Sequence, residues 1–248
     1  MAGDRPSATE FILGTLLSVP GRIADATIRR PPPYRRVLAR TRTPEAEAAR
    51  AAERAVVDGL AARLGAVDGL IHVVTQVDDR RITPGPGLDP GRRLELVCRL
   101  AATAYFATAL DVPELLRRIG AAEVADWGGG LYQDPRLPHP RGSVAEALAY
   151  YRSNGRHPDG SPRDSPRLYA LGTTLIWDDP AGLPIPEPTP TMFNSAITQY
   201  ADDPDAAARV ADARAEHGLI LRLEHSGAGG PQRPGYFTVP RSRRRRGH

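Results

Sequence analysis

Lysine is absent from this sequence, and cysteine occurs once, as Cys98. A single cysteine excludes an intramolecular disulfide and favours a reducing compartment, so we predict a cytoplasmic protein without a disulfide framework. Because all 33 basic residues are arginine, the choice of arginine over lysine at any one position carries no information about phosphate binding. Only the clustering of arginines along the chain is informative.

No apolar run near the N-terminus is long enough to span a bilayer, since the mainly apolar stretch at residues 11–19 is too short. The acidic residues Asp4 and Glu10 precede it, so neither a signal peptide nor a transmembrane segment is predicted. Ser7 and Glu10 have the spacing of a capping box, which favours a first helix here. An alternative is peripheral membrane association of this stretch, backed by the basic residues that follow it.

The overall composition is that of an ordinary globular protein. The chain has 248 residues, with 41% hydrophobic and 25% charged residues, which is enough to bury a core. Its 24 glycines and 25 prolines indicate long connections between elements. We predict an N-terminal helix with an arginine-rich extension at residues 1–42, a single α+β domain at 43–240, and a basic tail at 241–248.

The arginines cluster in two segments. Residues 29–42 hold six arginines, residues 241–248 hold five, and neither segment contains an acidic residue. Subtracting these eleven from 33 basic residues leaves 22 against 29 acidic residues, a formal charge of −7 for the remainder of the chain. The net charge of +4 therefore comes from the two segments, and a contact with nucleic acid would fall to them and not to the body.

Caps and hydrophobic spacing outline the secondary structure. Thr43 before Pro44 is typical of a helix start, and Ser143 followed by Glu146 is a capping-box pattern. The predicted helices span residues 43–65, 89–105, 111–127, 143–154, 193–200 and 203–218, and the predicted strands span residues 69–77, 167–177, 219–225 and 235–240.

The segment at 89–105 is predicted to be a central, buried helix, because apolar residues occupy two of its stripes. Leu94 and Val97 lie on one stripe, and Leu96 and Leu100 lie on another. The order of elements predicts an α+β fold, with one small sheet of three or four strands covered by helices and with irregular basic terminal segments.

Acid–base chemistry has one group of candidate residues. Asp178 and Asp179 follow a predicted strand, Asp126 lies at the end of a helix beside Trp127, and His139 lies in a loop. Strand ends and loops often carry catalytic groups, and adjacent carboxylates are suited to a divalent cation or to a general base. The alternative is a turn, in which the carboxylates of Asp178 and Asp179 accept backbone N–H groups.

Metal binding and thiol chemistry find little support in the spacing of residues. His217 and His225 are separated along the chain, and Glu224 adjoins only the second, so no metal site and no cofactor are predicted. Cys98 lies on an apolar stripe, which predicts a buried structural thiol and not a nucleophile.

Two hypotheses about function remain open. The first is a non-catalytic intracellular accessory or binding protein, whose arginine-rich segments contact nucleic acid or an acidic partner. Its contact residues would be Arg29, Arg30, Arg35, Arg36, Arg243, Arg244, Arg245 and Arg246. The second is an enzyme of unassigned class, with a site near Asp126, His139 and Asp178. A solvated tail without a partner is the alternative for residues 241–248, and the oligomeric state is left open.

Overall fold

The computed structural model describes residues 39–82, 94–129, 139–157, 159–178, 185, 198–201, 205–226 and 235–240. Two compact units divide the chain, Met1–Ala39 and Arg40–His248. With the exception of Ala39, the described residues belong to the second unit, and the fold below is the fold of that unit.

Four helices and seven strands lie within the described ranges. The helices are α1 (Pro44–Gly65), α2 (Val112–Ala121), α3 (Val144–Arg152) and α4 (Ala206–His217). The strands are β1 (Ile71–Ile82), β2 (Leu94–Thr108), β3 (Leu168–Ala170), β4 (Thr173–Trp177), β5 (Thr198–Ala201), β6 (Leu219–His225) and β7 (Phe237–Pro240). None of these helices combines the length and the apolar composition that a bilayer crossing requires.

The strands form one antiparallel sheet. Six of them follow the order β3-β4-β6-β2-β1-β5, and β7 is added as a seventh strand that pairs with β2. β1 occupies one edge of β2, while β6 and β7 share the other edge, β7 at the beginning of β2 and β6 at its end. The predicted α+β class is confirmed, whereas the predicted number of three or four strands is wrong.

The prediction undercounts the strands because it assigns a helix to the segment that forms β2. This strand is central and is covered on both faces, since Ala104 and Phe106 belong to one core cluster and Tyr105 and Ala107 to another. A strand that is buried on both faces loses the alternation of apolar and polar residues that identifies most strands. The helix predicted at 193–200 is also wrong where it overlaps the described residues, because they form β5.

Helices α1, α2 and α3 cover one face of the sheet, called the inner face, which carries Ala104 and Phe106. From the helices, the core cluster on this face includes Leu60, Leu64, Leu115, Leu116 and Ile119. Helix α4 covers part of the opposite, outer face, where Val210 belongs to a cluster with Tyr105 and Ile220. The two layers of helices therefore bury both sides of the central strands, which is the stable arrangement for a sheet that is apolar on both faces.

Side-chain caps begin α1 and α3 where the sequence predicts them. Thr43 Oγ1 accepts the N–H of Ala46 at 3.3 Å, and Ser143 Oγ accepts the N–H of Glu146 at 3.1 Å. The carboxylate of Glu146 accepts the N–H of Gly142 at 2.5 Å. The second hydrogen bond of this capping box is therefore made with the residue before the cap and not with Ser143 itself. The helix starts are thus fixed by local hydrogen bonds that short sequence patterns encode.

Other predicted elements are confirmed in outline. The predicted strand at 167–177 is a hairpin of β3 and β4, whose turn contains Gly172 with a φ of +71°. A backbone in this left-handed region favours glycine over any residue with a Cβ. The strands predicted at 219–225 and 235–240 correspond to β6 and β7.

Candidate functional site

Helix α1 crosses the inner face in the same direction as β2. Near the end of the helix, Leu64 shares a core cluster with Phe106 of β2, whereas Val57, earlier in the helix, shares one with Leu100. The start of α1 therefore lies toward the end of the sheet where β2 begins. In this first half of the helix, the side that faces the sheet carries polar residues among the apolar ones.

Arg50 and Glu53, one helical turn apart, reach the sheet from the first half of α1. Glu53 Oε1 lies 3.1 Å from Nε2 of His225 on β6, and Nδ1 of His225 lies 3.1 Å from Oγ1 of Thr173 on β4. Thr173 is directly opposite His225 in the strand register. Each polar atom of this contact has a partner when His225 Nε2 donates to Glu53 and Nδ1 accepts the hydroxyl proton of Thr173.

These three residues, the Glu53 triad, have the connectivity of a hydroxyl nucleophile, a general base and an orienting carboxylate. Only 6% of Thr173, 6% of His225 and 8% of Glu53 is exposed. A nucleophilic hydroxyl has to be reached by its substrate, and this one is buried against His225. The burial therefore fits a polar contact that fixes α1 on β4 and β6 better than it fits a reaction centre.

Asp79 of β1 forms the second buried polar contact of α1. Its carboxylate accepts hydrogen bonds from Arg50 of α1 and from the Tyr236 hydroxyl at 2.8 Å, and Arg81 Nη2 lies 3.6 Å away. Side-chain exposure is 6% for both Asp79 and Arg81. A buried carboxylate is tolerated when charged and hydrogen-bonding partners replace water. These four residues are called the Asp79 cluster.

Burial controls the protonation of two weakly acidic groups beside Asp79, the Tyr236 hydroxyl and the Cys98 thiol. It raises the pKa of the Tyr236 hydroxyl, and the hydrogen bond to Asp79 and the charge of that carboxylate raise this pKa further. Tyr236 therefore remains a proton donor in the cluster. Burial also raises the pKa of the Cys98 thiol to about 11. The thiol is protonated at neutral pH, and Cys98 is buried as predicted.

Tyr236 reaches Asp79 because the chain that enters β7 passes very close to β2. The N–H of Tyr236 donates to the carbonyl of Cys98 at 2.9 Å. A Cβ at Gly235 would collide with the same carbonyl oxygen, because the backbones are closer there than any side chain permits. Glycine at position 235 is therefore a condition for the approach of Tyr236 to the cluster.

The two arginine-rich segments join the described fold at one end of the sheet. Segment 29–42 ends directly before Thr43, the cap of α1, and the start of α1 lies toward the beginning of β2. Segment 241–248 follows Pro240, which is paired with Leu94 at the beginning of β2. Both segments are therefore attached at the same end of the sheet, the end at which β2 begins.

Further arginines lie at this end. Arg40 and Arg42 are exposed just before α1, and Arg80 of β1 is directly opposite Arg99 of β2 on the outer face. Like charges directly opposite each other destabilise a strand pair, and Asp78 offsets part of this repulsion through its ion pair with Arg80. We call this end of the sheet, with Arg40, Arg42, Arg80 and Arg99, the arginine end.

Asp178, one of the candidate catalytic residues, lies buried at the end of β4. Oδ1 accepts the N–H of Ile185 at 2.7 Å, and Oδ2 accepts the N–H of Ile220 at 3.0 Å. Arg214 of α4 donates to both carboxylate oxygens, at 3.0 and 3.3 Å, and to the carbonyl of Ile185 at 2.8 Å. These bonds fit the alternative in which this carboxylate accepts backbone N–H groups.

The other acid–base candidates lie elsewhere. Asp126 is exposed in the segment after α2, and Trp127 and His139 are half-buried. Within the described ranges, no hydrogen bond or ion pair joins Asp178 to Asp126 or to His139. Asp179 lies outside the described residues. The described part of the chain therefore provides no bond that assembles these side chains into one site.

No group of three or more His, Cys, Asp or Glu side chains in the described part of the chain could hold a metal ion. His217 lies at the end of α4, 3.8 Å from Glu216, whereas His225 contacts Glu53 on the inner face. The predicted arginine contacts, Arg29, Arg30, Arg35, Arg36, Arg243, Arg244, Arg245 and Arg246, lie outside the described residues.

The buried polar residues of α1 and β1 are absent from the residues that the sequence predicts as functional. The alternation of inward and outward side chains along β1 does contain a signal that could identify these residues. Val77, Asp79 and Arg81 share the inner face once the strand extends past residue 77 to Ile82. Glu53 likewise lies four residues before Val57 on the buried stripe of α1. Charged residues at inward positions of regular elements are the pattern that identifies such contacts.

No protein-family model, curated protein or solved structure matches this chain.

Proposed function

We propose that this protein is a non-catalytic, cytoplasmic binding protein whose arginine-rich segments, residues 29–42 and 241–246, contact nucleic acid or another acidic partner. Guanidinium groups bind phosphates and carboxylates through paired hydrogen bonds, and release of counterions from a polyanion adds to the affinity. The residues expected to make the contact are Arg29, Arg30, Arg35, Arg36, Arg243, Arg244, Arg245 and Arg246.

The observation that carries this proposal is the position of the two attachment points. The cap of α1, Thr43, and the last residue of β7, Pro240, both belong to the arginine end of the sheet. Two arginine-rich segments that are attached at the same end of a sheet can contact the same length of a polyanion more readily than segments that are attached at opposite ends. Their charges then act together on one partner.

The distribution of charge supports the same proposal. Outside the segments 29–42 and 241–248, the chain carries a formal charge of −7. A polyanion is repelled by an acidic body and attracted by the arginine end, so the body orients the partner toward this end. Such a contact neutralises phosphates without reading bases, and we therefore expect weak dependence on nucleotide sequence.

The non-catalytic part of the proposal is supported by the environments of the polar residues. The carboxylate of Asp178 is engaged by two backbone N–H groups and by Arg214. The hydroxyl of Thr173 in the Glu53 triad is buried and contacts His225. Both are arrangements in which polar groups hold elements of the fold together.

The test is a binding titration of the full-length protein with a duplex and with a single strand over a salt series from about 50 to 200 mM. The variant changes Arg243, Arg244, Arg245 and Arg246 to Gln. If these four side chains neutralise phosphates, the slope of log Kobs against log salt for the duplex falls by about 3 to 4, since each neutralised phosphate contributes roughly 0.9.

A matched control changes four exposed arginines of the body to Gln, so that the net charge falls equally. These residues are Arg117, Arg141, Arg152 and Arg156. An equal decrease of slope in both variants contradicts a contact by the tail, because net charge alone then accounts for the binding. If nucleic acid is not bound but an acidic peptide is, the partner is an acidic protein. If neither is bound at low salt, the proposal is refuted.

A further inference from the structure

The partners of Asp79 come from three separate elements. Arg50 belongs to α1, Arg81 to β1 itself, and Tyr236 to the chain that enters β7. Asp79 thus joins the helix that follows one arginine-rich segment to the strand that precedes the other. No other buried carboxylate in the described part of the chain connects α1 with β7.

β7 has few other contacts that hold it. It is four residues long, its residues are half-buried or exposed, and within the described residues it pairs only with β2. A short strand with one neighbour is a common site of local opening. Tyr236, the residue directly before β7, donates a hydrogen bond to buried Asp79, and a hydrogen bond to a charged group contributes more than a neutral one.

We propose that Asp79 is a positioning residue that fastens β7 to the start of α1, so that the tail at 241–248 leaves the fold at the arginine end. Loss of the bond to Tyr236 releases β7 from the beginning of β2 and lets the tail move away from that end. The consequence for binding rests on the proposed function, whereas the fastening of β7 does not.

Cys98 provides a direct readout of β7. It is the only cysteine of the chain, it is fully buried, and its carbonyl accepts the N–H of Tyr236. In the register it is paired with Phe237 of β7. The rate at which iodoacetamide alkylates Cys98 under native conditions therefore measures how often β7 leaves β2.

The variant is Tyr236→Phe in the full-length protein, which removes only the hydroxyl. The loss of a hydrogen bond to a charged group corresponds to an increase of about 10- to 100-fold in alkylation rate. The control is Tyr105→Phe, the same chemical change on the same sheet. Tyr105 lies on the outer face, where it is paired with Arg222 in the strand register. This control should leave the rate within about threefold of the wild type.

An unchanged rate in Tyr236→Phe overturns the proposal, and so does an equal increase in Tyr105→Phe, because the effect would then be a general loss of stability. Asp79→Asn is a second variant that keeps the shape of the side chain but removes its charge. It should increase the rate at least as much as Tyr236→Phe, and an unchanged rate contradicts the role of Asp79.

Binding to the same duplex is measured in parallel. If β7 positions the tail, Tyr236→Phe weakens binding at fixed salt although every arginine is retained. Faster alkylation with unchanged affinity refutes the positioning of the tail while leaving β7 fastened by Asp79. If the wild type does not bind at all, the proposed function fails, and the alkylation rates still decide whether Asp79 holds β7.

Discussion

Replacing Asp178 by Ala tests the structural role of this carboxylate. The change removes the acceptor of two backbone N–H groups and the anionic partner of Arg214. Each buried donor left without an acceptor costs about 1 to 3 kcal/mol, and breaking a buried ion pair costs about 3 to 5 kcal/mol. Because the Arg214 side chain is 23% exposed, water screens part of its charge. We expect the free energy of unfolding to fall by about 4 kcal/mol.

The assay is unfolding in urea, followed by far-ultraviolet circular dichroism and by the fluorescence of Trp127 and Trp177. Trp177 ends β4, the strand that Asp178 follows, so its emission reports on the affected region. Asp178→Asn keeps an acceptor oxygen and loses the charge, and its free energy of unfolding should fall by about half as much. Asp126→Ala is the matched control, since Asp126 is exposed, and it should change the value by less than about 0.5 kcal/mol.

A fall of less than about 1 kcal/mol in Asp178→Ala, with the circular dichroism spectrum unchanged, would refute this reasoning. The carboxylate would then be dispensable for folding although it engages two N–H groups and a guanidinium. Its hydrogen bonds would then contribute little to stability. Asp178 would return as a candidate for acid–base chemistry.

Two further predictions concern the core and the dependence on pH. Leu116→Ala, at a fully buried position of α2, should lower the free energy of unfolding by about 2 to 5 kcal/mol in the same urea assay. Partial desolvation lowers the pKa of His72, although its side chain is exposed, and the charge of Arg209 lowers this pKa further, so the unfolded chain binds the proton more readily. Stability contributed by His72 is then present above its unfolded pKa and is lost as pH falls from about 6.5 through the lower pKa of the folded state. His72→Gln should therefore lose less stability than the wild type between about pH 7.5 and 5; an equal loss would contradict the shift.

The elements that could be predicted are those with local signals. Thr43 and Ser143 cap their helices through bonds to residues three positions later, so the pattern is contained in a few neighbouring letters. β6 was predictable from its short, leucine-rich sequence between Gly218 and Ser226. β2 was not, because helices cover both of its faces and remove the alternation that would identify it.

The buried polar contacts depend on residues that are remote in sequence. Asp79 is separated by 157 positions from Tyr236, and Glu53 by 172 positions from His225. Neither pairing follows from spacing, because the sheet order that brings the strands together has to be known first. The inward register of Asp79 could be read from the alternation with Val77, but its partners could not.

The order of the sheet also constrains how the chain is assembled during synthesis. β6 lies between β4 and β2, so the pair β1–β2 and the hairpin β3–β4 have no shared edge until residues 219–225 arrive. Until then, the strand edges of β2 and β4 are open to pairing with other chains. Contacts of such long sequence separation slow folding, since the intervening loop must close first. A nascent chain that stops before β6 therefore exposes two unfinished half-sheets, and we expect it to depend on chaperones more than the complete chain does.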